Sequence, residues 1–385
     1  MSFRVLFLIL YWSPAVILLL SLLASSFFKS YDPSSPAVIY LMGFVFMVYV
    51  SKLLPGLLVL LTGAIGKLIR ITRRIFHPKG TDQPVTGKVL RIVNYTGYGA
   101  GGIMFGLLTL GMVLWGYDFR IVEHRLSLAD LPDAFEGFRI VQISDLHLGT
   151  WPSEKKLEEV ITTVNGLSPD LVLFTGDLVN SRTSEAAPFR STLKGIHARY
   201  PVYAILGNHD YGDYAAWDSP EAKEQNMKEL FSFFEEVGWK VLSNAHDIIR
   251  LDGDSIVIAG VDNWSVYNRF EKKGNLPKAM DGVSNASMVI LMTHDPTHWE
   301  NEVITSFPEI DLTLTGHTHG FQFGIETKHV KWSPVQWLYE EWAGMYEYAQ
   351  PDGHKQFMYV NRGLGAIGYP GRVGIKPEIT LFVLK

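Results

Sequence analysis

Three long apolar runs fill the first third of the chain, and short apolar runs broken by polar clusters fill the rest. Residues 5–28 read VLFLILYWSPAVILLLSLLASSFF without a charge, long enough at 1.5 Å per residue to cross a hydrocarbon core of about 30 Å. The run exceeds the apolar stretch of about 7–15 residues usual in a signal peptide, and it ends without a clear small-x-small cleavage site, so it predicts a spanning helix. Residues 36–65 form a second run, interrupted by Lys52 and Pro55. It is too short for two crossings and predicts one long, tilted or kinked helix. The third run, residues 97–115, is rich in glycine, which membrane helices tolerate where neighbours pack closely.

Beyond Tyr117 the pattern is that of a soluble domain. Apolar, β-branched runs at 138–143, 171–174, 202–206, 255–259, 288–292 and 311–314 predict buried strands. Ser153 opens a helix with Leu157, Val160, Ile161 and Val164 on one face. Ser219-Pro220-Glu221 supplies an N-cap, a first-turn proline and a favourable acid for another helix, with Gly238 as its stop. The pattern is α/β, with a transmembrane region over 1–116 and a second domain over 117–385; no internal repeat and no low-complexity tract interrupts it.

Composition narrows the function. At about 150 residues per domain, 385 residues allow two or three units. Hydrophobic residues make up 47% and charged ones 19%, against about 25% charged in ordinary soluble chains, which excludes disorder. With no cysteine there is no disulfide, zinc-thiolate site, iron–sulfur cluster or thiol nucleophile, so any metal is held by His, Asp, Glu, Asn or water. A net charge of −5 argues against a nucleic-acid partner. Residues 67–91 carry Lys67, Arg70, Arg73, Arg74, Lys79, Lys88 and Arg91 against a single acid, Asp82, and basic loops stay in the cytoplasm. With three crossings, Arg4 then lies inside, and the domain after Trp115 on the extracytoplasmic face of a bacterial inner or plasma membrane.

Nearly every predicted strand runs into a cluster of Asp, His or Asn: Ser144-Asp145-Leu146-His147, Thr175-Gly176-Asp177, Gly207-Asn208-His209-Asp210, Thr293-His294-Asp295 and Gly316-His317-Thr318-His319. Sites of α/β sheets form at the carboxyl ends of strands, where the loops converge. In extended chain, positions i and i+2 point the same way, so Asp145 with His147, and His317 with His319, can each aim two ligands at a common centre. Asp, Asn and neutral imidazole suit Zn, Mn, Fe, Co or Ni rather than calcium, and the two oxygens of Asp177 can bridge two ions. Ions about 3.5–4 Å apart polarise a phosphoryl group and hold a hydroxide for in-line attack, the chemistry of phosphate-ester hydrolysis.

The series DLHLG, GDLVN, GNHD, THDP and GHTHG, in this order, resembles the calcineurin-like metallophosphoesterases, and within them the membrane-attached bacterial branch that ends in YVNRGLG, here residues 359–365. The resemblance spans 138–384. It implies a β-sandwich flanked by helices, in α-β-β-α layers, behind the transmembrane bundle. It also implies that Asp145, His147 and His319 bind one divalent metal and Asn208, His294 and His317 a second, with Asp177 as the bridge. His209 is similar to the family histidine that contacts the phosphate and protonates the leaving oxygen, with Asp210 placed to orient it; a leaving alkoxide gains from a nearby acid whose pKa suits neutral pH. Phe321 stands where relatives often carry a second glycine, and a ring there narrows or greases the site mouth.

Other polar residues have ordinary readings. Asp262-Asn263 form either a supporting partner or an Asx turn. Asp295 and His298 cap the next helix, and Arg362 either neutralises phosphate or forms a structural ion pair. Residues 332–348 carry three Trp and three Tyr, either a lid packed on the core or a clasp for an amphiphilic substrate at headgroup level. The expectation is a membrane-anchored, two-metal phosphohydrolase that cleaves a phosphodiester or pyrophosphate in a lipid-linked or nucleotide-sugar lipid substrate. Its rivals are a UDP-2,3-diacylglucosamine pyrophosphatase role in lipid A synthesis, which needs a cytoplasmic substrate, a non-catalytic membrane scaffold that kept the fold, and a nuclease.

Overall fold

The computed structural model describes residues 3–27, 35–76, 85–283 and 288–385. Two compact units divide the chain near Val113. The first holds helices α1 (Phe3–Phe27), α2 (Pro36–Phe76) and α3 (Val85–Leu110), the last extended by a π-helical turn, Gly111–Trp115. Pro36–Arg73 and Gly87–Trp115 are long and apolar enough to cross a membrane, and in α1 the apolar stretch among described residues is Tyr11–Ser21. The second apolar run is one continuous helix with Pro55 inside it. Its charge is satisfied locally, because the Lys52 ammonium donates to the Tyr11 carbonyl at 3.1 Å and lies 4.1 Å from the centre of the Tyr11 ring. The expected basic loop is largely helical: Lys67, Arg70, Arg73 and Arg74 fall on the end of α2 and Lys88 and Arg91 on the start of α3. Lys79 and Asp82 lie outside the described residues. Between α2 and α3 the glycines do what close packing requires, for a Cβ on Gly101 would meet the Ser51 carbonyl at 2.5 Å and Pro55 Cγ at 2.6 Å.

The second unit is a sandwich of two six-stranded sheets. In chain order the strands are β1 (Arg120–Leu126), β2 (Arg139–Ile143), β3 (Leu171–Phe174), β4 (Val202–Ala204), β5 (Trp239–Val241), β6 (Ala245–Leu251), β7 (Asp254–Gly260), β8 (Val289–Met292) and β9 (Leu312–Thr315). A two-residue hairpin follows, β10 (Ile325–Glu326) with β11 (Lys331–Trp332), and then β12 (Gly344–Ala349), β13 (Lys355–Val360) and β14 (Glu378–Leu384). The first sheet runs β1-β14-β2-β3-β4-β5 and the second β12-β13-β9-β8-β7-β6. β2 through β5 are parallel, as are β7, β8, β9 and β13.

Parallel strands covered on both faces need apolar residues on both faces. Ile140, Leu171, Leu173 and Tyr203 of the first sheet meet Ile256, Ile258, Ile290 and Leu314 of the second between the layers. Val141, Val172 and Phe174 point outward, onto helices α4 (Glu154–Gly166) and α6 (Pro220–Val237), with the single turn α5 (Arg190–Leu193) between them in the chain. Both long helices begin after the serines that signal them, Ser153 and Ser219, and the second also ends at its signalled glycine. Leu157, Val160, Ile161 and Val164 are the buried face of α4, Ser219 Oγ accepts from the Ala222 amide at 3.3 Å, and Gly238 closes α6 at φ 80°. The outer face of the second sheet is covered by Leu276, Ala279, Trp299 and Val303. The layers are α-β-β-α.

Candidate metal centre

The five polar clusters leave the carboxyl ends of parallel strands, but of two sheets rather than one. Asp145 and His147 follow β2, Asp177 follows β3, and Asn208, His209 and Asp210 follow β4. His294 follows β8, and His317 and His319 follow β9. The chain turns abruptly at these points: Asp145 (φ 51°), His147 (φ 42°), Asp177 (φ 60°), His317 (φ 71°) and His319 (φ 52°) are all left-handed. Non-glycine residues adopt that region at a cost, and such strain concentrates at functional sites. The extended i, i+2 geometry expected for the Asp145/His147 and His317/His319 pairs is therefore corrected. Asp145 and His147 do share one centre, whereas His317 and His319 are turned into different ones.

Two groups of potential ligands result, each with all its ligand atoms within 4.8 Å: Asp145, His147 and His319, and Asp177, His294 and His317. Asp145 Oδ1 lies 3.2 Å from His319 Nε2, and the Nε2 atoms of His147 and His319 are 3.1 Å apart. Asp177 stands between the groups, with Oδ2 3.5 Å from His147 Nε2 and 3.1 Å from His294 Nε2. Its Oδ1 accepts the His209 amide at 2.9 Å, which ties in the Asn208 loop. Asn208 donates Nδ2 to Tyr214 Oη at 2.9 Å, and its Oδ1 is buried without a partner. The Thr175 carbonyl accepts from His294 Nδ1 at 2.7 Å, which leaves the buried Nε2 facing Asp177. Lone pairs from imidazole, amide and carboxylate thus crowd into one space with few protons between them. This is what a divalent cation fits, with the remote nitrogen of His294 fixed by a backbone carbonyl as in many metal-bound histidines.

Charge follows burial. Burial pushes the Asp145 carboxyl up, but His319 and His294 outweigh it and hold it at about 2. Asp177, against His294 and His209, is likewise driven well below the carboxylate range despite burial. His294 is buried too, yet the Asp177 charge lifts it to about 10, whereas burial lowers His147 strongly and takes His317 to about 4. Burial also depresses the partly exposed His209, whose Nδ1 faces the Asn180 carbonyl at 2.7 Å. The two carboxylates are thus anionic and His147 and His317 neutral, as ligation requires, whereas His294 has to give up its Nε2 proton to a bound ion.

Asp210 needs a correction. It does not orient His209; its Oδ2 accepts the amides of Asp177 and Gly207, both at 2.9 Å, and its Oδ1 those of Leu178 (2.8 Å) and Val179 (3.3 Å). It locks the β3 and β4 loops together, and burial with the nearby Asp177 charge pushes it to about 7. Arg362 pairs with Glu378 (2.7 Å) and Glu326 (2.5 Å), the structural alternative. Asp295 caps Thr297 through Oδ1 but turns Oδ2 to within 3.5 Å of His317 Nε2. His298 bonds Thr293 and Glu302, and Asp262 accepts from Ser243 and Asn244. Phe321 is 54% exposed rather than lining the mouth tightly. The sequence does not single out Tyr214, Asn180, Tyr339, whose Oη sits 2.8 Å from His317 Nε2, or Arg372. The last is wholly buried, and its Nη2 donates to the carbonyls of Gly363 and Gly365 beneath the Asp145 loop. A third group, Asp130, Asp311 and His354, lies at the opposite end of β9 from His317.

A family model described as calcineurin-like phosphoesterase matches residues 138–321. An uncharacterized metallophosphoesterase of Bacillus subtilis is 31% identical over 73% of this chain and 95% of its own length. A transmembrane protein with a metallophosphoesterase domain from Danio rerio is 29% identical over 72% of this chain; the match spans only 60% of that relative. A UDP-2,3-diacylglucosamine pyrophosphatase of Chlamydia muridarum is 29% identical over 61% of this chain and 81% of its own.

Proposed function

This chain belongs to the calcineurin-like phosphoesterase family, and from that premise we propose that it is a membrane-anchored phosphohydrolase with a two-metal centre, cleaving a phosphodiester or pyrophosphate bond. The observation that carries the reading is the position of Asp177 between two groups of ligands. Asp145, His147 and His319 would hold one divalent ion and Asn208, His294 and His317 the other, with Asp177 placed to serve both. When bound, such a pair polarises the phosphoryl group and lowers the pKa of water. The residues supply the rest. His209, partly exposed and fixed through Nδ1–H by the Asn180 carbonyl, would take a proton from solvent on its other nitrogen when a phosphate lies beside it and pass that proton to the leaving oxygen. Asp210 keeps the Asp177 and Asn208 loops in register, and Tyr214 holds the Asn208 amide nitrogen, which leaves its oxygen available as a ligand.

The substrate is an amphiphile. Trp337 and Leu338 are 73% and 49% exposed, yet the next residue, Tyr339, touches His317. An apolar rim thus begins two residues from a ligand, on a chain with membrane-spanning helices. The names of the transmembrane and UDP-2,3-diacylglucosamine pyrophosphatase relatives fit a lipid-linked phosphate. The catalytic domain lies on the extracytoplasmic face, and a pyrophosphatase role in lipid A synthesis requires the opposite side. The test is hydrolysis of bis(p-nitrophenyl) phosphate by detergent-purified protein supplied with Mn. Asp177→Ala is expected to abolish it while the protein still inserts in membranes. Equal activity of the two proteins removes the bridge, and a wild type inert with every divalent metal supports a scaffold.

A further inference from the structure

Three rings and one cation stand over the Asn208–His317 side of the centre. The Tyr214 ring stacks on His209 with centroids 4.2 Å apart, and its hydroxyl holds Asn208. Phe270 meets His317 edge-on at 5.0 Å, and Tyr267 meets Tyr339 edge-on at 5.4 Å. Arg269, in the loop after β7, lays its guanidinium 4.6 Å over Phe270 and 5.5 Å over Tyr267. It also lies within hydrogen-bonding reach of Tyr339. Arg269 is thereby located over the rings that pack on His317 and on Tyr339.

An arginine stacked on rings is often no more than a cover for them. Three features point further. Among the described residues Arg269 is in no ion pair, although its neighbour Lys273 is paired with Glu271 at 2.8 Å. It is exposed at the rim rather than sunk behind the ligands. A site that carries two divalent ions against the two carboxylates Asp145 and Asp177 is itself positive, so a further cation above it is unfavourable until an anion lies between. A single phosphoryl group at the centre is reached by the ions and by His209. The guanidinium is one layer of rings further out, where the next phosphoryl group of a chain of phosphates comes to lie, and its planar fork matches two phosphate oxygens.

We propose that Arg269 is a specificity-determining residue that binds the second phosphoryl group of a diphosphate diester whose first is held at the metal centre. The assignment rests on the phosphohydrolase reading above and narrows its substrate class from phosphodiesters in general to diphosphates.

The test uses the full-length protein in detergent, with Arg269→Gln and Arg269→Lys. With Mn bound, so that the centre is intact, the uncleavable α,β-methylene analogue of UDP-glucose (a soluble stand-in for the diphosphate diester) and dibenzylphosphinate (an uncleavable stand-in for the single-phosphate ester) are titrated calorimetrically. Loss of a charge-assisted pair is expected to weaken binding of the UDP-glucose analogue about 10- to 100-fold in Arg269→Gln, at least about tenfold more than for dibenzylphosphinate. Arg269→Lys should recover part of it, and melting temperatures should agree. With UDP-glucose and bis(p-nitrophenyl) phosphate as substrates, the same preference should appear in KM more than in kcat. Equal losses for the two ligands, or no binding of the UDP-glucose analogue by the wild type, overturn the assignment and leave the phosphohydrolase reading intact if bis(p-nitrophenyl) phosphate is still turned over. A wild type that turns over neither ester overturns both.

Discussion

His209 and Asp210 are adjacent in the chain and have unrelated partners. The imidazole rests on the Asn180 carbonyl and the Tyr214 ring, the carboxylate on four backbone amides. If His209 protonates the leaving oxygen, its removal should matter in proportion to how badly the leaving group needs a proton. His209→Ala is expected to slow hydrolysis of an alkyl phosphodiester by about 100-fold or more, and to slow release of p-nitrophenolate, a good leaving group, far less. Equal losses for the two esters would count against the acid role. At this scale the sequence is legible wherever function requires a particular side chain beside a glycine at a strand end: Asp177, Asn208 and His317 could be named. Tyr214, Tyr339 and Arg269 could not, because they lie in irregular loops whose paths depend on contacts far along the chain. Asp210 was misassigned because adjacency in sequence says nothing about which way neighbouring side chains turn.

Strands and helices were read more securely than their relation to one another. Continuous apolar runs mark β2, β3, β8 and β9, buried on both faces, and cap residues mark α4 and α6. The edge strands β1, β6 and β12, which are only partly buried, leave no such run. Two predictions belong here. Gly101→Ala drives a Cβ into the Ser51 carbonyl of α2, whereas a Cβ on Gly99, two residues earlier on α3, meets nothing within 4 Å. Both substitutions gain helix propensity equally, so Gly101→Ala should be less stable than Gly99→Ala by about 1–3 kcal/mol, read as thermal denaturation in detergent; equal stability would show that the helices do not pack this closely. At the head of β9, Asp311 accepts the Val289 amide at 2.7 Å, and burial pushes it to about 6. A carboxyl raised above its unfolded value of about 3.9 contributes stability that is full below that pH and is lost as pH rises through 6. Asp311→Asn keeps an acceptor for Val289 and should therefore stabilise by about 2 kcal/mol at pH 8 and by little at pH 4. A gain that does not depend on pH would contradict the sign.

For the molecule as a whole, the central question is how a soluble sandwich and a set of apolar helices serve one reaction. Membrane association follows from the helices and the transmembrane relatives; the side follows only from charge. On the topology proposed from charge, basic residues at the end of α2 and the start of α3 would hold that connection in the cytoplasm, with the sandwich across the membrane. Reporters fused after Thr81 and after Trp115 should therefore report cytoplasm and exterior, respectively. Exterior followed by cytoplasm would reverse the topology and favour a cytoplasmic diphosphate lipid as substrate.

All of this presumes that side chains from two sheets cage a pair of ions with Asp177 shared between them. Metal analysis of the full-length protein after equilibration with Mn and removal of excess addresses that directly. About two ions per wild-type chain, falling below one in Asp177→Ala with the fold intact by circular dichroism, is the predicted result. Undiminished occupancy in Asp177→Ala, or a wild type that retains none, would contradict it.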